Sequence, residues 1–309
     1  MSTTPIYAAL VLGSDSFRLL VGGFRDGKLE PLDGQHAPLR LAAALDAQGC
    51  LEQEAMRAAF DCVRDMRARL AGWALAGVRA VTTSTLRMAR NSHLFIPAAQ
   101  AQLGHPIEVL SGEEEGRLTY LGVAHGAAVA GAPALVVGIG GGSTQMAWGR
   151  GRELQRVSSL ALGTARVGLT FFGNGVNPVS FAAAIASSRT RLADEAQVYR
   201  TAGTQATFGA SGTLHTLARL IADNGLGERG CALTAARLEA LGVRVLEHGA
   251  GGRPLVGLGT LRLRDVAAAL AIMIALTEEL KIAELAVPAV GLRAGVLADL
   301  HHSRVAVTA

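Results

Sequence analysis

Two short segments of this 309-residue chain repeat each other, and that repeat limits the possible folds most. Val11-Leu-Gly-Ser-Asp-Ser16 aligns residue for residue with Gly138-Ile-Gly-Gly-Gly-Ser143, 127 positions later. Each sits between two apolar runs: Ile6 to Leu12 and Phe17 to Phe24 around the first, Ala134 to Ile139 and Gln145 to Gly149 around the second. Apolar runs joined through Gly, Ser and Asp read as β-hairpins. The pair therefore predicts two related lobes, each with a small backbone loop at a hairpin tip. Length agrees, since compact domains hold roughly 100–200 residues each.

The rest of the chain alternates strand and helix. Leu51 to Leu70 spaces Met56, Phe60, Val63, Met66 and Leu70 for one helix face. Val78 to Thr82 is a strand, after which Thr83-Ser84 offers an N-cap for a helix to about Arg90. Pro106 to Leu110 is a strand, and Ser111-Gly-Glu-Glu114 fits a capping box opening a helix toward Ala124. Thr207 to Ala210 is a strand before a helix opened by Ser211-Gly212-Thr213. Val266 to Leu276 is apolar all round, as in a buried helix, and a last helix covers about Gly291 to His301. This alternation defines an α/β class.

Composition narrows the function. Hydrophobic residues make up 50% and charged ones 17%, which excludes a disordered chain. The 38 glycines are about 12% of the chain against a usual value near 7%, without a Gly-X-Y period, so the excess belongs to turns, loops and close backbone approaches. Lys+Arg number 29 against 25 Asp+Glu, a net charge of +4, and no basic run reads as a nucleic-acid arm. Lys28 and Lys281 are the only lysines. Arginine suits bidentate phosphate contacts, although a GC-rich genome gives the same bias. Cys50, Cys62 and Cys231 form no ligand cluster and read as buried thiols in a reducing cytoplasm. The first residues lack the basic segment and apolar core of a signal peptide. Gly126 to Gly149 holds 24 uncharged residues, but Pro133 and seven glycines break it into a loop, a strand and a turn. A soluble cytoplasmic protein with no nucleic-acid or membrane partner is expected.

Paired Gly-rich loops can aim backbone N–H groups at an anion. Ser14, Ser16, Ser143 and Thr144 would add hydroxyls; two ordinary tight hairpins are the alternative. Five segments in order resemble the exopolyphosphatase / guanosine pentaphosphate phosphohydrolase (Ppx/GppA) family: Leu12-Gly-Ser-Asp-Ser-Phe-Arg-Leu19, Thr82-Thr-Ser-Thr-Leu-Arg-Met-Ala-Arg-Asn91, Ile107-Glu-Val-Leu-Ser-Gly-Glu-Glu-Glu-Gly-Arg-Leu118, Val136-Val-Gly-Ile-Gly-Gly-Gly-Ser-Thr144 and Phe208-Gly-Ala-Ser-Gly-Thr213. Gly291-Leu-Arg-Ala-Gly-Val296 matches the family's closing motif.

The resemblance implies an actin-like, ribonuclease-H-like two-lobe fold of the ATPase superfamily with an interdomain cleft. Residues 1–123 with 292–309 would form one lobe and 124–291 the other, in a short member of the family. It implies release of terminal phosphate from inorganic polyphosphate or guanosine penta/tetraphosphate with Mg²⁺, in proteins that commonly form homodimers. Glu115 falls at the family's catalytic base. Gly13, Ser14, Asp15, Ser16, Arg87, Gly140, Gly141, Gly142, Ser143 and Thr144 fall at phosphate contacts. Arg18, Ser211, Gly212 and Thr213 are further nucleotide or phosphate contacts, although Ser211 to Thr213 also read as a plain N-cap. Arg90, three residues after Arg87 on the same helix, reads as a surface ion-pair residue.

The departures concern the metal. Val11, Gly138 and Gln145 stand where the family has Asp, Asp and Glu. Asp15 replaces an Asn, so it either adds a carboxylate at the first loop or caps its own turn. Mg²⁺ prefers carboxylate oxygens and water, so its site is doubtful here. The sequence leaves two readings: a phosphohydrolase of reduced activity, or an impaired protein that still binds polyanions or nucleotides.

Overall fold

The first repeated segment is the turn of a hairpin from which a sheet grows. β1 (Ile6–Leu12) runs antiparallel to β2 (Ser16–Arg25), and β2 to β3 (Lys28–Pro38). There follow α1 (Gln53–Leu70), β4 (Leu75–Thr82), α2 (Ser84–Met88), α3 (Ser92–Leu103), β5 (Ile107–Val109) and α4 (Gly112–Gly126). β4 lies parallel to β1 and β5 to β4, giving the order β3-β2-β1-β4-β5.

The second segment starts a matching sheet. Its elements are β6 (Pro133–Ile139), β7 (Thr144–Arg150), β8 (Glu153–Leu160), α5 (Thr164–Phe172), α6 (Pro178–Arg200), β9 (Ala206–Gly209), α7 (Gly212–Asp223), β10 (Leu233–Thr234), α8 (Ala235–Gly249), α9 (Leu263–Leu280) and β11 (Glu284–Leu285). The order is β8-β7-β6-β9, with β9 parallel to β6. Ala286, just after β11, bridges Phe208 of β9 in parallel, where β5 stands in the first sheet. Both sheets thus follow one plan. A final helix, α10 (Leu292–Thr308), returns to the first.

The computed structural model describes residues 4–126, 131–200, 203 and 206–308. Residues 127–130, part of the uncharged stretch, lie outside them. The chain divides into two units, Met1–Ala128 with Val290–Ala309 and Val129–Ala289. No helix among the described residues is long and apolar enough to cross a membrane.

β1 is apolar throughout because both faces of its sheet are covered. On one face Leu10, Leu12, Leu19 and Val21 meet Val63, Met66 and Phe95 from α1 and α3. On the other, Tyr7, Ala9, Val11 and Val81 meet Leu118 of α4 and Val296 and Leu297 of α10. In the second unit α9 is buried along nearly its whole length.

α4 and α10 touch backbone to backbone. A Cβ at Gly295 would lie 1.7 Å from the Leu118 carbonyl oxygen, and one at Gly122 would lie 2.1 Å from that of Gly291. Only glycine permits this approach, and it sets both helices against the sheet. By contrast, none of Gly13, Gly140, Gly141 and Gly142 has a positive φ.

Two expectations are corrected. α2 ends at Met88 and Ala89 turns extended, so Arg90 leaves the helix face of Arg87 and is exposed, with no ion pair among the described residues. Of the three thiols only Cys62 is buried, and burial pushes it up to about 11; Cys50 and Cys231 are half-buried.

Candidate functional site

The hairpin tips are built alike. The Gly13 N–H donates to the Ser16 carbonyl (3.1 Å), and the Gly140 N–H to that of Ser143 (2.8 Å). At the first tip Ser14 Oγ is buried 3.1 Å from Ser84 Oγ, so Ser84 braces the loop and Thr83 makes no side-chain cap. Asp15 is exposed, and its carbonyl accepts the N–H groups of Leu39 and Arg40. At the second tip the Gly140 and Gly141 carbonyls accept N–H groups of Thr164 and Ala165 in the first turn of α5. The Gly141 and Gly142 N–H groups have no protein partner among the described residues. Thr144 Oγ1 donates to the Leu162 carbonyl (2.6 Å) and is buried away from the tip. Ser211 Oγ accepts from the Leu214 and Ile139 N–H groups, the behaviour of an N-cap that also ties down the end of β6; Gly212 and Thr213 follow it in α7.

The three glutamates opening α4 separate by environment. Glu113 is exposed. The Glu114 N–H donates to Ser111 Oγ (3.0 Å), half of the capping box, but its carboxylate instead takes two bonds from Arg117 (2.7 and 2.8 Å). Asp299 of α10 pairs with both Arg117 and Arg79, completing a network across α4, α10 and the sheet. Glu115 faces inward, with 15% of its side chain exposed, and its Oε2 has no hydrogen-bond partner. Burial pushes its carboxyl up to about 7; Arg87, whose Nη1 lies 3.9 Å from Oε2, pulls the other way. Arg87 itself donates to the Leu110 carbonyl (2.5 Å).

A cationic group lies on the same sheet face. β-pairing aligns Val81, Val11, Arg18 and His36 in one row across β4, β1, β2 and β3. Arg18 Nε donates to Ser16 Oγ (3.0 Å), and Arg293 of α10 to the Leu19 carbonyl (3.3 Å). Neither guanidinium has a carboxylate within ion-pair distance among the described residues. Burial holds Arg18 below its ordinary value against the opposing pull of Asp15. Arg293 is lowered by burial and then by Arg18. His36 is lowered by burial, then by Arg18 and Arg293. Nothing in the sequence marks His36, and the only local signal for Arg293 is its place inside Gly291-Leu-Arg-Ala-Gly-Val296.

The donor set does not fit Mg²⁺. Val11 is buried among apolar neighbours. Gly138 and Gln145 are cross-strand partners, and a Cβ at Gly138 would lie 3.3 Å from Gln145 Oε1. The Gln145 amide donates to Ser143 Oγ (2.7 Å). No cluster of three or more His, Cys, Asp or Glu suited to a metal occurs among the described residues. A hard cation needs several oxygen ligands, usually carboxylates; the three replaced positions supply no carboxylate, and their one side-chain oxygen is the Gln145 amide carbonyl.

The two sheets, each an antiparallel hairpin extended on one side by a parallel strand, define the class: an actin-like fold of ribonuclease-H-like units. Solved structures agree. The Aquifex aeolicus PPX-GPPA enzyme matches with a TM-score of 0.81 at 24% identity, over 96% of this chain and 100% of that one. An exopolyphosphatase from Cytophaga hutchinsonii matches with a TM-score of 0.83 at 19% identity, over 96% and 98%. At such identities the likeness shows the fold. The chain belongs to the Ppx/GppA phosphatase family, whose model matches residues 20–304. A guanosine-5'-triphosphate,3'-diphosphate pyrophosphatase of Vibrio vulnificus is 38% identical over 239 residues, 77% of this chain and 47% of that protein. Its namesake from Aliivibrio fischeri is 37% identical over 246 residues, 79% and 49%. The chain thus spans about half the length of these curated relatives.

Proposed function

We propose that this chain hydrolyses phosphoanhydrides, releasing the terminal phosphate of guanosine pentaphosphate or inorganic polyphosphate, with Glu115 as general base. One observation carries the reading: a buried carboxylate oxygen without a partner, titrating at about 7, 3.9 Å from the Arg87 guanidinium. A base is most effective when its pKa lies near the working pH. In the proposed step the Glu115 carboxylate takes a proton from water. The water oxygen forms a bond to the terminal phosphorus, and the bond to the bridging oxygen breaks. Arg87 faces the negative oxygens of the transferring group, where oriented charge lowers the barrier. Arg18 and Arg293 are assigned to oxygens further along the ligand, as forked guanidinium donors suited to phosphate.

The reading takes the protein as a cytoplasmic one, its cysteines free, and includes the homodimer implied by the family. Phosphoryl transfer relies on charge neutralisation, much of it by metal in the usual systems. With Val11, Gly138 and Gln145 in place of acids, turnover is expected to be slow. The same replacements favour the second reading, a polyanion-binding protein with little hydrolysis. Phosphate release from guanosine pentaphosphate and from tripolyphosphate separates the two. A rate that falls about a hundredfold in Glu115→Gln supports the enzyme. Turnover unchanged in that variant removes Glu115 from the chemistry, and binding without release selects the second reading.

A further inference from the structure

We infer that the first unit binds its phosphate ligand without a divalent cation, the Arg18 and Arg293 guanidiniums supplying the counter-charge that a metal would bring. The inference rests on the phosphate-ligand reading above and adds how the charge is balanced.

It starts from an imbalance. Arg293 donates to the carbonyl of Leu19, the residue next to Arg18, both guanidiniums lower His36, and both side chains are half-buried. Among the described residues each makes a single hydrogen bond, to the uncharged Ser16 Oγ for one and the Leu19 carbonyl for the other. The charged neighbour acting on Arg18 from the opposite sign is Asp15, exposed at the hairpin tip and beyond ion-pair distance. Burying a cation without a partner is costly, and proteins normally offset it with a carboxylate. Two arginines on the neighbouring α4–α10 side of this unit do so: Arg79 reaches Glu108, Glu114 and Asp299, and Arg117 reaches Glu114 and Asp299. Arg18 and Arg293 stand apart from that pattern.

Position 11 explains the sign. Val11 is the cross-strand partner of Arg18, so an acidic side chain there would lie against the guanidinium and could share a metal with the ligand. Valine does neither. It leaves the guanidinium without a carboxylate among the described residues, beside an apolar floor where a polyphosphate oxygen meets two planar donor forks in lowered dielectric. Guanidinium and Mg²⁺ compete for the same oxygens. A site whose charge is already supplied by arginine gains nothing from a cation that neutralises the ligand first.

The test is calorimetric titration of the full chain with inorganic tripolyphosphate and with guanosine pentaphosphate, in EDTA and in millimolar MgCl₂. Affinity in MgCl₂ is expected to be equal to that in EDTA or weaker. Arg18→Gln and Arg293→Gln are each expected to weaken EDTA-phase binding about tenfold or more. Val11→Asp, which places a carboxylate beside Arg18, is expected to weaken it similarly; if that variant does not fold, the wild-type and arginine arms still decide. Binding that MgCl₂ tightens about tenfold would overturn the inference and leave the proposed function standing. Arginine variants that bind as well as wild type would overturn it too. No heat with either ligand in either buffer would remove the phosphate-ligand reading itself.

Discussion

The hairpins at Gly13 and Gly140 share more than a turn. In each, the side chain two residues after the tip serine reaches back to that serine: Arg18 Nε to Ser16 Oγ at 3.0 Å, Gln145 Nε2 to Ser143 Oγ at 2.7 Å. In each, a hydroxyl beside the neighbouring parallel strand holds the last residue of the first hairpin strand: Thr82 on the Leu12 carbonyl, Ser211 on the Ile139 N–H. The frameworks are equivalent and the charges are not. The Val11–Arg18 pair carries a half-buried guanidinium with no carboxylate in ion-pair distance among the described residues, whereas the Gly138–Gln145 pair is neutral and its amide is taken up by Ser143. Backbone design is common to both units, and the chemistry is set by single side chains at matched positions.

The strongest way to break this equivalence is at the glycine seam between α4 and α10. Gly295→Ala forces a methyl onto the Leu118 carbonyl and should destabilise the first unit by about 3 kcal/mol or more. Urea unfolding should show the first unit's transition shifted and the second unit's unchanged; one common shift would contradict the separation.

A smaller effect is expected at Glu115. Its carboxyl is raised from 4.5 to about 7, so between those values the native state holds a proton that the unfolded chain releases. Stability is therefore fully present at low pH and declines as pH rises through about 7. Glu115→Gln should be more stable than wild type by on the order of 1–3 kcal/mol at pH 8 and no more stable at pH 4. Equal stability at both pH values would mean that the carboxylate is not desolvated.

The smallest contrast compares the tips directly. A methyl at Gly13 would lie 3.0 Å from the Ser16 carbonyl oxygen, and one at Gly140 3.4 Å from that of Ser143. Gly13→Ala should cost about 1 kcal/mol and Gly140→Ala a few tenths, read from thermal unfolding. Equal costs would show that the two tips relax differently from their matched hydrogen bonds.

Local chemistry made much of this legible from sequence. Hairpin residues, the helical spacing of Val63, Met66 and Leu70, and the caps at Ser111 and Ser211 act within a few positions of themselves. Glu115 stands out in sequence through the resemblance, and in the structure through a buried environment that Glu113 and Glu114 do not share. What stayed hidden depends on distant partners. Arg293 gains meaning only beside Arg18, on a strand far earlier in the chain. The α2 boundary depended on Ala89 turning extended, which nothing local to Arg87 and Arg90 announces. The fifth position of the second sheet is filled by one bridge at Ala286, too short for any periodic signal.

The glycine contact between α4 and α10 also sets an order of assembly. The second unit is a single stretch of chain and has all its parts once the ribosome has passed residue 289. The first is not: Gly122 and Leu118 emerge early but meet Gly291 and Gly295 only after the whole second unit has been made. During synthesis the earlier-made unit thus waits on the later one, the α4 face at Leu118 and Gly122 lacking its partner until α10 has been made.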